Sequence, residues 1–472
     1  MSNTRNFLSP FLFILSFASP GIAGMGELDP RFGDRGVLTL PGNSGPSVVE
    51  LPDGRLLVVG VTPGLSAGRK IALHRLLGTG VPDPTFGGST GLAVVVPDRD
   101  VSFVSEAILQ PDGKIAIAGS VWQQGGLPFV ARLDAGGAID SGFGSAGVWV
   151  GSNATEPFYS SLLLTSDGQL LASISDWTND RIDWFASDGR YFGNLSHELA
   201  MDRMAVQSDG RVVVSGYHRA LYKPVLMRLN HDGSIDRSFG KDGFAEVGRG
   251  FTSFMSIEPG GDRILLCGPG IQRLTADGSP DITFGSAGTG VISLGSQGLP
   301  AFDDCHGVLA LQGGGVVYLG IREGIAAGGL DQPLVGGLTS LGLVDQRFGA
   351  GSGANAIPLA PLDVYRGSWF DLDLRLIRLR GGDALLAWRA GKDLQLARID
   401  LGGEALSPVQ AIPVLKRVGS VVPTPVVVAP SAPVPSVPPA EGTAGGGALG
   451  ALELAMLAAV ALVARRRRYP ET

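Results

Sequence analysis

Seven copies of one short pattern run along this 472-residue chain, and that repetition limits the folds open to it more than any other feature. The pattern alternates two signatures. The first is a tight turn between two apolar runs: LPDGRLLVVG at 51–60 and LQPDGKIAIAG at 109–119, then TSDGQLLASI (165–174), QSDGRVVVSG (207–216), EPGGDRILLCG (258–268), LQGGGVVYLG (311–320) and LRGGDALLAW (379–388). Asp-Gly and Gly-Gly pairs tolerate the positive φ of tight hairpins, so each copy reads as a β-hairpin. The second signature ends in Phe-Gly: LDPRFG at 28–33, VPDPTFG at 81–87 and ARLDAGGAIDSGFG at 131–144, with related endings at Phe192, Phe239, Phe284 and Phe348. With Phe32, Phe86 and Phe143 these make seven marks, spaced by roughly the ~50 residues of a four-stranded repeat unit.

Within one unit the apolar runs GVWV (147–150), SLLLT (161–165), QLLASI (169–174) and RIDWFA (181–186) read as four antiparallel strands. One such sheet cannot cover both its faces, so units must stack. Radial stacking closes a ring and protects the edges, which makes the expected fold an all-β, seven-bladed β-propeller of four-stranded antiparallel blades. An open β-solenoid is the alternative, although its repeats are usually shorter. The first Phe-Gly precedes GVLTL (36–40), whereas the last unit ends at LQLARID (394–400) with no Phe-Gly after it, an offset that suits one blade completed by both termini. A phenylalanine repeated in every unit serves the architecture, as a wedge between blades.

The two ends of the chain differ from the repeats. Residues 1–24 open with Arg5, continue through an apolar stretch from Phe7 to Phe17 and close on small residues, with Gly21 and Ala23 spaced for signal peptidase. They read as a secretory signal cleaved near Ala23 or Gly24; the alternative, a membrane anchor, sits poorly with a run broken by Pro10 and Pro20. Export places Cys267 and Cys305 in an oxidising compartment where a disulfide persists, the other reading being two buried thiols. After a propeller domain at 25–416, the segment 417–444 is rich in proline and small residues and reads as a disordered, extended stalk. Gly445, Gly446 and Gly447 follow, then an apolar run at 448–464 interrupted only by Glu453, then Arg465, Arg466, Arg467 and Arg468. That run is at the lower limit for a transmembrane helix, and the arginines mark its cytoplasmic end. The formal charge is −7 even with those arginines included, which argues against nucleic acid as a partner.

The alternation of LQPDGKIAIAG with ARLDAGGAIDSGFG resembles the delta-60 repeat family of bacterial extracellular proteins, over roughly residues 28 to 400. That resemblance implies a β-propeller and a surface location, and it brings no catalytic motif. The tail at 445–468 resembles the GlyGly-CTERM sorting signal. The resemblance implies processing by a rhomboid-type intramembrane protease (rhombosortase), export by type II secretion and a cell-surface or released product. A plain single-pass anchor is the simpler alternative.

Chemistry is sparse. His74, His197, His218, His231 and His306 form no HExxH or similar ligand spacing, and neither a G-x-S-x-G elbow nor a P-loop occurs. No cofactor is expected, with calcium left open. The densest cluster, Asp303, Asp304, Cys305 and His306, could seat a metal or an acid/base pair, against the plainer reading of a solvated loop. Asn230, Asp232, Ser234 and Asp236 alternate oxygen ligands as calcium loops do, echoed by Asp277, Ser279 and Asp281, but the glycine and distal glutamate of such a loop are missing and turn chemistry accounts for them. Inserts that break the repeat carry Trp122, Tyr217, Tyr222, Arg322, Tyr365 and Trp369, residue types suited to a glycan or protein ligand as well as to edge packing. Two functions follow from this: a recognition or adhesion propeller, or a secreted polysaccharide hydrolase or lyase with carboxylates in the axial funnel.

Overall fold

Each Asp-Gly or Gly-Gly turn closes a hairpin. Leu51 donates its N–H to the Arg55 carbonyl across the first turn at 2.7 Å, and Gln110 to Lys114 across the second at 2.8 Å. Gly54 and Gly113 take φ of 81° and 83° there, a conformation that costs glycine nothing. The computed structural model describes residues 24–402 except 41–43, 63–67, 88–89, 96–99, 122–125, 152–157, 166–167, 176–179, 197–198, 249–253, 286–287, 294–303, 327–329, 358–373 and 391–392. The expected leader, stalk and sorting tail, with Ala23, Gly445, Gly446 and Gly447, lie outside the described residues.

The described strands form seven antiparallel sheets of four strands each, a seven-bladed β-propeller. Blade 1 comprises Ser44–Glu50, Leu56–Val61, Ile71–Leu76 and Leu92–Val95. Blade 2 comprises Val101–Leu109, Ile115–Val121, Leu127–Leu133 and Val148–Val150. Blade 3 comprises Phe158–Leu164, Leu170–Ser175, Arg181–Phe185 and Tyr191–Ser196. Blades 4, 5 and 6 begin at Leu199–Val206, Phe254–Ile257 and Asp304–Ala310 and end at Phe244–Glu246, Val291–Ser293 and Ala354–Ala356. The first strands of successive blades contact one another, so they line the axis.

Blade 7 closes the ring. Arg375–Arg378, Ala384–Ala390 and Asp393–Ile399 take Val37–Leu40 as their outer strand, so both ends of the array share one sheet. Pairing continues upstream, where Asp29 N–H reaches the Arg398 carbonyl at 2.8 Å and Gly26 N–H reaches Asp400 at 2.7 Å.

The strand frame expected from sequence is shifted by one. Val148–Val150 is the outer strand of blade 2, and the fourth strand of blade 3 is Tyr191–Ser196. The reason is local: the loop carrying Phe143 turns the chain straight back, and Arg132 N–H bonds the Gly147 carbonyl at 3.0 Å, so the following segment pairs with the strand before it.

Among the described residues seven hydrophobic clusters make the core, each drawn from two adjacent blades. Leu57, Val59 and Leu73 of blade 1 pack with Ile115, Ile117 and Phe129 of blade 2, for example. Burial that depends on a neighbour is why one unit cannot fold alone.

Candidate functional site

At one end of every blade lie the turn between strands 1 and 2 and the connection between strands 3 and 4. Here a latch recurs that the sequence reading missed. An arginine of the third strand (Arg75, Arg132, Arg228, Arg273) lies over the ring of the loop phenylalanine (Phe86, Phe143, Phe239, Phe284) at 4.4, 4.8, 4.7 and 4.4 Å. The same guanidinium pairs through Nε with an aspartate eight residues on: Asp83, Asp140, Asp236 and Asp281, at 2.7 to 2.8 Å. The basic residue after the hairpin turn adds a second cation at 2.9 Å in blade 4, from Arg211, and at 3.0 Å in blade 2, from Lys114.

Burial raises the pKa of Asp236 and Asp281, but hydrogen bonds from Ser238 and Thr283 and the adjoining Arg228 and Arg273 outweigh it, holding both carboxyls below the ordinary value. Asp83 lies lower still, through two bonds from Thr85 and then Arg55 and Arg75. The signal could have been found, as Arg, Asp and Phe at constant offsets in four units.

The wedge reading holds for six of the seven phenylalanines. Phe32, Phe86, Phe143, Phe239, Phe284 and Phe348 are buried. A Cβ at the turn glycine of the next blade would strike the ring: Gly137 against Phe86 at 2.6 Å and Gly278 against Phe239 at 2.8 Å. Phe192 differs. It sits on the outer strand of blade 3, 36% exposed, because only residues 186–190 join strands 3 and 4 there, too few for the wedge loop. Trp184 takes the arginine's register and bonds Gln169 instead, and Trp184 and Leu195 fill the space beside Gly233.

The aspartates that looked like calcium ligands are used in the turns and latches. Asp232 accepts the Ser234 N–H at 2.9 Å and Asp277 that of Ser279 at 3.1 Å, while Asp236 and Asp281 hold arginines. Among the described residues no cluster of three or more histidine, cysteine, aspartate or glutamate side chains could hold a metal.

The opposite end carries the connections between strands 2 and 3 and those between blades. The described strands that flank the sequence inserts have their insert-side ends here, as does the start of the strand bearing Cys305 and His306. Trp122, Tyr365, Trp369 and Asp303, and the side chains of Arg322 and Asp304, lie outside the described residues. Cys305 is disulfide-bonded to Cys267, which ties blade 6 to blade 5 with a Cα separation of 5.5 Å. His306 is buried edge-on to Phe254.

Tyr217 and Tyr222 flank a tight turn of blade 4. Tyr217 is 42% exposed, Leu221 53% and Tyr222 77%. Tyr222 has φ of 52°, a left-handed conformation unfavourable for a bulky side chain, and its N–H closes the turn on the Arg219 carbonyl at 3.3 Å. Below the tip, Arg219 pairs with buried Asp180 of the neighbouring blade and His218 packs edge-on to Phe244 at 5.2 Å.

Near the axis, first-strand carboxylates bond between blades. Glu106 accepts the Leu162 N–H of blade 3 at 2.7 Å, and Glu50 accepts the Arg380 N–H of blade 7. Burial pushes both pKa values up, opposed at Glu106 by Arg203 of blade 4 and the bonds it receives, and at Glu50 by Arg380.

Residues 110–143 and 207–239 match a family model described as "Domain of unknown function (DUF5122) beta-propeller". Each stretch runs from a hairpin turn to the wedge phenylalanine, so the match covers one propeller repeat at each place. No curated protein matches the chain. Among solved structures it is similar to a virginiamycin B lyase from Staphylococcus aureus, at 13% identity over 76% of this chain and 98% of that one, with a TM-score of 0.47. It is also similar to the β-propeller domain of the Trilobed protease from Pyrococcus furiosus, at 11% identity over 79% and 99% of the two chains, with a TM-score of 0.42.

Proposed function

We propose that this chain is exported and acts outside the cytoplasmic membrane as a recognition or adhesion propeller, presented on a proline-rich stalk and sorted through its GlyGly tail. One observation supports recognition most directly: blade 4 holds Tyr217, Leu221 and Tyr222 in solvent on a turn fastened beneath by Arg219–Asp180 and His218–Phe244. Aromatic side chains on a braced turn lose little freedom on binding, which suits a ligand-contacting surface. They cap the end that carries the connections between strands 2 and 3.

The test is a glycan and protein-ligand array of the exported protein, with and without calcium, with mass spectrometry of every bound glycan. Binding without change of the ligand, weakened about ten-fold or more by Tyr217→Ala with Tyr222→Ala, is the expected result. Shortened glycans would replace this reading with the hydrolase or lyase using carboxylates in the axial funnel. Intact masses of the exported protein test the sorting route, with a C-terminus at Gly446 or Gly447 expected. An intact arginine tail would point to plain anchoring.

A further inference from the structure

A second surface departs from the repeat on the flank of the ring, away from the exposed turn of blade 4. A groove of about 470 Å³ runs between the outer strand of blade 2 and the turn and outer strand of blade 3, lined among others by Ser145, Trp149, Asp188, Gly189, Arg190 and Tyr191. Two substitutions against the repeat meet in it. Trp149 occupies the outer-strand register held by Ala93, Ala245, Ile292 and Asn355 in blades 1, 4, 5 and 6. Tyr191 occupies the register held by Pro82, Ile139, Ile235, Pro280 and Val344, each of which makes only an isolated bridge before its loop departs. Lacking that loop, blade 3 runs straight into its outer strand and carries an aromatic ring to the blade boundary.

The two rings stack, with centroids 5.1 Å apart and planes 24° from parallel, and Phe185 backs Trp149 edge-on at 4.9 Å. The Tyr191 hydroxyl donates to Asp183 at 3.2 Å and accepts from Asn194 at 3.0 Å, so its orientation is set. On the rim, Asp188 and Arg190 lie 3.9 Å apart with side chains 58% and 71% exposed. Their charges are opposite, which disfavours a strongly charged ligand, while both present strong hydrogen-bonding groups to the groove.

We propose that this groove binds an uncharged oligosaccharide. The aromatic platform takes the C–H face of a sugar ring, and Asp188 and Arg190 meet its hydroxyls from the edge. A groove open to solvent suits a chain of sugars better than a small enclosed ligand, and a platform ordered in advance avoids the cost of immobilising it. The site is separate from the blade 4 turn and stands whether or not that turn recognises a ligand.

The experiment titrates the exported protein with a panel of uncharged gluco-, manno-, galacto- and xylo-oligosaccharides, followed by calorimetry and tryptophan fluorescence. At least one member binds, and Trp149→Ile, which installs the residue of blade 5, weakens it about ten-fold or more. Asp188→Asn with Arg190→Gln, on exposed side chains that leave the fold alone, weakens it about five-fold, and Tyr191→Phe keeps it within about three-fold. Tyr217→Ala with Tyr222→Ala leaves it unchanged. Absence of binding to the whole panel, binding that survives the Trp149 and rim variants, or binding that follows the tyrosine turn instead would each overturn the groove.

Discussion

Blades 5 and 3 are the same four-strand meander with opposite solutions to one problem, how to seal against the next blade. Blade 5 sends out a loop that returns with Phe284 as a wedge and Asp281 as an anchor for buried Arg273. Blade 3 has no such loop. Trp184 stands at the arginine's register, Gln169 supplies its partner, and the outer strand lengthens to Tyr191–Ser196. The latch is therefore one way of filling an interface, and a blade that gives it up frees its outer strand to present Tyr191 and Phe192. Regularity stabilises the ring, and departure from it creates surface.

Breaking the regular blade is expected to have the largest effect. Asp281→Ala takes the paired carboxylate from the buried Arg273 guanidinium, leaving it the Gly314 carbonyl, the Thr283 hydroxyl and the Phe284 ring, and is expected to cost ~3–5 kcal/mol in denaturant unfolding; a loss below about 1 kcal/mol would mean the latch is ornamental. The phenylalanine pair separates the blades next. Phe284→Ala removes a fully buried wedge and should cost ~3–4 kcal/mol, whereas Phe192→Ala, on a half-exposed outer strand, should cost less than ~1 kcal/mol. Equal losses by the same measurement would return Phe192 to the wedge role.

Acid sharpens the contrast further. Asp236 and Asp281 titrate below their ordinary 3.8, so the stability they contribute is present above that pH and lost as pH falls through the lowered values. Unfolding midpoints should drop below pH ~4 in the wild type and fall less in Asp281→Ala. Glu106 runs the other way. Its folded pKa is raised above 4.5, so its favourable contribution is full below that value and lost as pH rises past it. Glu106→Gln keeps an acceptor for Leu162 and removes the charge, and the smallest effect follows: an unfolding free energy at pH 7 higher by up to ~1 kcal/mol, unchanged at pH 4. A fall at pH 7 would assign the carboxylate a stabilising partner in Arg203.

The repeat count and the hairpin turns could be read because Asp-Gly and Gly-Gly demand one backbone geometry wherever they stand, as at Gly54 and Gly113. Closure by both termini was legible too, since the unpaired Phe-Gly before 36–40 and the bare end at 394–400 complement each other. The strand frame was not. Val148–Val150 reads equally well as a first or a last strand, and only the hydrogen bonds across the loop assign it to blade 2. Phe192 shares its Phe-Gly spelling with six wedges, but the shortness of 186–190 decides its place.

Of the candidate surfaces, Tyr217 and Tyr222 could be found as repeat-breaking aromatics, whereas Trp149 read as an ordinary strand residue and Tyr191 as the residue before a Phe-Gly mark. They stand 42 positions apart, and nothing in either segment tells that an outer strand of one blade will lie against the turn of the next. By itself the sequence determined what is local and repeated: turns, strand alternation, blade number and the offset that closes the ring, because each rests on backbone geometry within a few residues. The tertiary structure decided what depends on a neighbour: which arginine meets which aspartate, which phenylalanine is buried and where two aromatic rings stack. Those contacts exist only once blades pack side by side, and the packing distance between blades is not written in either one.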